Sequence, residues 1–523
     1  MSLNLKINHR NIYFCGLAIV VVGLPLSNFL MSFGQLVLVL NWLTEGYIIS
    51  RFRNFFRNKT ALVISSLFLL HLIGLLFTSD FAYAFKDLRT KIPLFVLPLI
   101  ISTSEPLDRK KFQFLILVFI AAVIASTFAG IYNLYTMNYL DIRKISAFIS
   151  HIRLSLLICL SVFILLFFIV SSKNFARLQK LFFLLIMLWL IVFLFILESF
   201  TGLSILLITA FLLAIIEVFR TKNKIIKIAL VAGIIIVPVV IFMYINNIYK
   251  EFFRIPVDKE IKLEKFTTQG NPYNHDTLSS EVENGHFVRR YICEPEIKEA
   301  WNKRSSIEYD SMDLKDQYLK YTLIRFLTSK GYRKDANGVN NLTDGEVLSV
   351  KNGIANVNCQ KKHSLRSRIY ETIWEYENYK ITADPNGHSV MQRIEYWKAS
   401  IGIIKEHLMF GVGTGDMKVA FEQQYVKMKS PLEKKNRWRS HNQFLSITVG
   451  FGLFGLLWFL ATLIYPFLFK RVRKDYFYFV FFIIAMLSMI AEDTIESQAG
   501  LTFFAFFNAL LLIGRKQKSE ILS

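Results

Sequence analysis

The chain has little cysteine, little acid and no recognisable nucleotide loop, and each shortage removes a class of protein. Four cysteines in 523 residues cannot staple a small secreted scaffold. Cys15 and Cys159 fall inside apolar runs, where a thiol packs as a small hydrophobe. Cys293 and Cys359 share a polar stretch, and spacing alone does not decide whether they pair. The glycine run Gly411, Gly413, Gly415 lacks the Lys-Ser or Lys-Thr ending of a P-loop; it predicts a helix C-cap and tight turn, with Asp416 capping the helix that follows. His275, His286, His363 and His388 are scattered without ligand spacing, so no metal and no cofactor is expected. The apolar run Leu17–Leu24 continues into more apolar sequence without a small-residue cleavage site, and no cleavable signal is expected. Internal repeats of the kind found in many transporters and low-complexity linkers are also missing.

What the chain has in excess is apolar sequence: 54% hydrophobic residues and 49 Phe. Leu181–Leu197 holds no charge and Ile228–Tyr244 has only Lys227 at its edge, lengths close to the about 20 residues that a bilayer core demands. Apolar windows predict an all-α polytopic membrane protein of about twelve transmembrane helices. Nine fall within 1–246 and three within 444–514, and the 92–104 window is short and ends near Pro106, as a tilted or broken helix would. The net charge of +22 does not point to nucleic acid, because Lys250 to Arg439 carries 32 basic against 26 acidic residues. The excess lies in short loops between apolar runs, which is the positive-inside pattern. With Lys6 and Arg10 inside, the loops Arg51–Lys59, Arg109–Lys111, Lys173–Lys180, Arg220–Lys227 and Lys470–Lys474 all fall on the same side. Both termini, including a 515–523 tail, are then cytoplasmic, and the polar segment 247–443 faces outward between spans 9 and 10.

That outer domain is expected to be mainly helical. Asp316–Lys330 places Leu319, Leu323, Phe326 and Leu327 at helical spacing, with Gly331 as a C-cap. Residues 393–410 place Ile394, Trp397, Ile401, Ile404 and Leu408 on one face of an amphipathic helix, suited to lying on the membrane or packing over the spans.

The segment from Gln392 runs QRIEYWKASIGIIKEHLMFGVGTGDMKVAF, and RSHNQFLSITVGFGLFGLL begins at Arg439. Arg393 stands shortly before a Trp at the head of an amphipathic helix, the Gly-x-Gly-x-Gly turn follows, and His441-Asn442 opens a span with Gly450, Gly452 and Gly455. This pattern resembles the O-antigen ligase and O-antigen polymerase superfamily of bacterial membrane glycosyltransferases. The close match covers about 70 residues, and the late outer loop extends it to the whole topology. The resemblance implies a GT-C-like fold in the bacterial inner membrane and an inverting, metal-independent transfer. Its donor is a glycan on undecaprenyl diphosphate; its acceptor is lipid A–core, another repeat unit, or a Ser or Thr of a protein.

Such chemistry needs a base near the nucleophile and fixed positive charge on the leaving diphosphate. His441 suits the first task and Arg393, at a helix start that also favours anions, the second. Arg437, Arg439 and Asn442 flank His441 as substrate contacts. Arg89 and Lys91, with Lys86, break the positive-inside bias, and Arg153 beside His151 begins a span where an arginine is costly unless paired or bound. Glu492, Asp493 and Glu496 could pair with these cations or replace His441 as base. One departure stands out: where many family members carry a Ser-Arg pair, this chain has Ser199-Phe200, so Arg153 or Arg89 is expected to supply the missing charge.

Two other classes compete. A transporter of lipid-linked sugars calls for polar residues near bilayer midplanes, whereas the windows are apolar through their centres. A receptor calls for a sizeable cytoplasmic output domain, and the inner loops are short.

Overall fold

The computed structural model describes residues 8–137, 142–172, 174–253, 263–360 and 365–516. Lys6, Lys173, His363 and most of the 515–523 tail lie outside the described residues. The chain divides into two units, one of Met1–Leu213 with Asp384–Ser523 and one of Ala214–Ala383.

The first unit opens with α1 (His9–Leu26), α2 (Asn28–Thr44), α3 (Ile48–Arg57), α4 (Lys59–Ile73), α5 (Phe81–Lys91), α6 (Pro93–Thr103), α7 (Arg109–Thr136), α8 (His151–Val170), α9 (Arg177–Ile196) and α10 (Phe200–Arg220), whose last turns, from Ala214, belong to the second unit. The second unit holds α11 (Lys224–Phe253), a hairpin of β1 (Val282–Glu283) and β2 (His286–Phe287), α12 (Glu294–Arg304), α13 (Leu319–Ser329), α14 (Ala336–Asn340), α15 (Asp344–Lys351) and α16 (Leu365–Thr382). The first unit resumes with α17 (Ser389–Glu406), α18 (Met417–Lys427), α19 (Gln443–Ile464), α20 (Lys470–Arg473), α21 (Tyr476–Ala491) and α22 (Gln498–Leu512).

Among the described residues, eight helices are long and apolar enough to cross a membrane: α1, α4 and α19 with the turns that extend them, α7, α8, α9, α10 and α11. Phe182, Leu185 and Val192 of α9 and Val237 and Phe242 of α11 are exposed, which water would penalise and lipid would not. The protein is a membrane protein. Three further apolar helices, α2, α21 and α22, are shorter, and α6 has 11 residues. At about 1.5 Å rise per residue α6 reaches roughly half a bilayer core, so the expected twelve spans include four that length alone does not support.

The element that organises the first unit is a break in α19. Gly452 adopts φ 63° and ψ −161°, which interrupts the helical ladder and leaves carbonyls before it and amides after it without intrahelical partners. The loop after α17 supplies them. Leu453 N donates to Leu408 O (2.8 Å) and Phe454 N to Met409 O (3.2 Å), while Val412 N donates to Val449 O (3.0 Å) and Gly413 N to Gly450 O (2.8 Å). This splice needs close backbone approach: a Cβ on Gly411 (φ +70°) would meet the Gly450 carbonyl carbon at 2.4 Å, and one on Gly452 the Met409 carbonyl carbon at 2.2 Å. The glycine run therefore ties α17 to α19, the two helices that carry Arg393 and follow His441.

The expected amphipathic helix exists, and of its predicted face Ile404 packs against the protein core. Tyr396, Ala399 and Ile403 join Met417, Phe421 and Tyr425 of α18 and Val449 of α19 in one core, whereas Trp397, Ile401 and Leu408 are exposed. Asp416 also differs from expectation. Its side chain makes no cap hydrogen bond to α18; it accepts instead from Ser79 N (2.9 Å), Asp80 N (2.8 Å) and Ser79 Oγ (3.0 Å), because the start of α5 presents free amides to it.

In the second unit, α13 buries Leu319, Leu323, Phe326 and Leu327 against Ile297 and Trp301 of α12 and Val339 of α14. Gly331 closes α13 at φ +71°. The helix starts later than the pattern suggested, since Asp316 is left-handed (φ 59°). Cys293 and Cys359 are both free thiols.

Candidate functional site

The strand of backbone leading into α19 is held by a carboxylate. Asn442 caps α19, its side chain accepting from Leu445 N at 3.1 Å, and its Nδ2 donates to Ile490 O at 2.9 Å. His441, just before it, sits at φ +47°, a conformation that a non-glycine residue holds only when its surroundings enforce it. Asp493 does so: its carboxylate accepts from His441 N (3.1 Å), Asn442 N (2.9 Å) and Ser446 Oγ (2.7 Å). With those lone pairs engaged, Asp493 fixes the backbone.

Its neighbour Glu492 holds the side chains. One oxygen accepts from Arg393 Nη2 at 2.6 Å and the other lies 3.1 Å from His441 Nδ1. The imidazole stacks on Tyr396 of α17, centroids 5.4 Å apart at 27°. Burial works against ionisation of Glu492, but His441, Arg393 and Arg153 outweigh it and bring the carboxyl down to about 2. A carboxylate that stays ionised orients the ring with its Nδ1 proton toward Glu492, which leaves Nε2 as an acceptor. The His441 side chain keeps 35% of its surface and that of Arg393 26%, so both remain open to a ligand.

Arg153 enters from α8. Its Nε donates to Ser497 Oγ (3.1 Å) and Nη2 to Asp493 O (3.3 Å), while Nη1 is buried without a hydrogen-bond partner, as is Nε of Arg393. Buried guanidinium N–H groups are rarely left unmatched, and two of them beside one carboxylate suit an anion. The starts of α8 and α10 also lie together, since a Cβ on Gly202 would meet Ser155 Cβ at 2.6 Å. The start of α8, which carries Arg153, and that of α10, which carries Phe200, are therefore neighbours.

A second carboxylate, Glu496, organises the remaining charges. It accepts from Lys91 Nζ (2.8 Å), Arg439 Nη1 (2.9 Å) and Gln443 Nε2 (3.2 Å). Lys91, expected to meet diphosphate, is fully buried, with its ammonium also donating to Ile495 O at 2.7 Å. It acts on the site through Glu496, because its donors already face protein acceptors. Burial would strip its proton, but Glu496 and Asp87 hold the ammonium charged. Arg439 lies 3.9 Å from Asp87 and 5.4 Å over the Tyr83 ring.

The other expected residues scatter. Arg437 donates Nε to Leu432 O at 3.1 Å, a loop bond away from Glu492. Arg89 is exposed on α5, and His151 forms the first turn of α8. Asp87, Tyr396 and Gln443 belong to the network without having been singled out. Asp87 stands four residues before Lys91 and Tyr396 three after Arg393, spacings that share a helix face and could have found both.

No curated protein matches the chain at significant similarity. The O-antigen ligase family model matches residues 345–460, the stretch that holds Arg393, the glycine splice and His441, and this part of the chain is similar to the O-antigen ligase family.

Proposed function

We propose that the protein is a membrane glycosyltransferase of the ligase type, moving a glycan from undecaprenyl diphosphate to a hydroxyl of lipid A–core on the periplasmic face of the bacterial inner membrane. The observation that carries the reading is the Glu492 carboxylate, which holds His441 and Arg393 on its two oxygens. In the reaction the acceptor oxygen attacks the anomeric carbon and passes its proton to Nε2 of His441. The bond from that carbon to the diphosphate oxygen breaks, and the configuration inverts. The unmatched N–H groups of Arg393 and Arg153 are suited to take the charge that grows on the leaving diphosphate. A diphosphate leaves readily, so a glycosidase-like pair of carboxyl groups is not needed, and Glu492 is free to act as a positioning residue. Asn442 and Arg439 frame the acceptor side, and the exposed Arg89 is suited to a first contact with the lipid-linked donor. The same geometry serves a repeat-unit polymerase or a protein O-glycosyltransferase, which differ in the acceptor.

The test is transfer by purified protein in liposomes, with a labelled undecaprenyl-diphosphate oligosaccharide and lipid A–core, a second glycan donor or a peptide as acceptor. Product on lipid A–core that disappears with His441→Ala supports the ligase. Product on another acceptor moves the protein to that branch. Movement of the labelled lipid between leaflets with no product would replace the reading by a transporter.

A further inference from the structure

A cleft lies within the second unit, lined by none of the residues placed in the candidate site above. It measures about 510 Å³, inside the range of about 300–1,000 Å³ that small-molecule clefts occupy. One wall is the stretch 264–273 and the other 331–341. From its shape and chemistry we propose that this cleft binds a neutral oligosaccharide, a recognition site separate from the transfer site and independent of the reading given for it.

Three observations carry the proposal. The cleft is built rigidly. The buried Glu296 joins its walls, accepting from Thr267 Oγ1 (2.6 Å), Asn271 Nδ2 (2.8 Å) and Ala336 N (3.2 Å), and the hydroxyl of Tyr273 bonds to Asp335. A site whose walls are fixed before binding loses little freedom when it is filled.

Its charged side chains are already engaged by protein partners. Glu264 pairs with Arg333 at 2.7 Å, and Asp335 accepts from Gly338 N (2.8 Å) as well as from Tyr273. An anion or a metal ion would have to compete with these partners for the charged groups.

Beside the exposed Glu264–Arg333 pair, the cleft presents uncharged groups that both donate and accept. Asn337 donates to Thr268 Oγ1 at 2.7 Å and keeps its amide oxygen for a ligand. Asn341 is exposed, with both an acceptor and a donor to offer. Phe266 presents its ring to the same space at 62% exposure, beside the half-buried Tyr332. Amides that donate and accept match sugar hydroxyls, and an aromatic face matches the C–H face of a pyranose ring. An apolar ligand would leave the amides unmet.

The experiment uses the full chain in nanodiscs against an array of bacterial polysaccharide fragments, with a random peptide library beside it. Neutral fragments should bind, and Phe266→Ala and Asn341→Ala should each weaken them by about tenfold, roughly 1.4 kcal/mol, without change in thermal unfolding. His441→Ala should bind them like wild type, so loss of transfer and loss of this site are told apart. No bound fragment, binding indifferent to both substitutions, or retention of peptides in place of glycans would each overturn the proposal.

Discussion

One carboxylate oxygen of Glu492 lies 3.1 Å from Nδ1 of His441, and this contact sets which ring nitrogen can take a proton. Replacing Glu492 by Gln keeps the shape but removes the charge and can present an NH2 group to Nδ1, which favours the wrong tautomer. Transfer should fall by about 10²-fold in kcat, with a smaller change in KM, and the pH–rate profile should move, a change that a merely structural role would not produce. Equal losses in Glu492→Gln and Glu492→Asp with an unmoved profile would make Glu492 a packing residue.

Arg153 and Phe200 should show compensation. Arg153→Ala removes a buried guanidinium whose Nη1 has no protein partner, and should weaken donor use by about 10- to 100-fold, since an ionic hydrogen bond contributes about 1.5–3 kcal/mol. Adding Phe200→Arg to that variant should restore part of the loss, measured as donor KM in liposomes. Arg89→Ala, on the exposed face of α5, should change it less. If Arg89→Ala is the more damaging substitution and Phe200→Arg rescues nothing, the missing charge is not supplied by Arg153.

How much of this was legible beforehand varies by residue. His441, Arg393 and the glycine run stand within one stretch of sequence, so a local pattern found them, and helical spacing found the buried face of α13. The pairing of Glu492 with both was not legible, because the partners are 99 and 51 positions apart and no local spacing encodes them. Lys91 looked like a surface cation for the same reason: its partner Glu496 is contributed by the turn before α22. The apolar stripe of α17 left open whether it meets lipid or protein, because apolar residues suit both, and the packed stripe includes Ala399, Ser400 and Tyr396, which a hydrophobic pattern underweights. Asp416 has the residue type of a cap, but the amides nearest its carboxylate belong to α5 rather than α18.

The splice between α19 and the loop after α17 should be intolerant of a single methyl group. Gly452→Ala forces a Cβ to within 2.2 Å of Met409 backbone and a left-handed φ on a residue that disfavours it, which together cost upward of about 1–3 kcal/mol. The melting temperature in detergent should drop and transfer should fall with it. Gly233→Ala, where a Cβ meets nothing within 4 Å, is the control and should change neither. An unshifted melting curve for Gly452→Ala would mean that the break in α19 is not held by this approach.

The cluster of Asp87, Lys91 and Glu496 gives stability changes of opposite sign. Burial, with Glu496 close by, pushes the Asp87 carboxyl up to about 6 against the pull of Lys91. A carboxyl whose folded pKa exceeds its unfolded value near 3.8 penalises the folded state above pH 6, and the penalty fades as pH falls from 6 toward 3.8. Asp87→Asn should therefore melt at or above wild type at pH 7.5, with the advantage shrinking at pH 5. Glu496 is the reverse case, since Lys91, Arg439 and His71 hold it well below the usual carboxylate range despite its burial. Glu496→Gln leaves Lys91 buried without its counter-ion and should cost about 3–5 kcal/mol at pH 7.5. Melting curves of both variants at the two pH values separate the cases. A lower melting temperature for Asp87→Asn at pH 7.5 would show that its attraction to Lys91 and Arg439 exceeds the cost of burying it, and that one carboxylate does not suffice for the two cations.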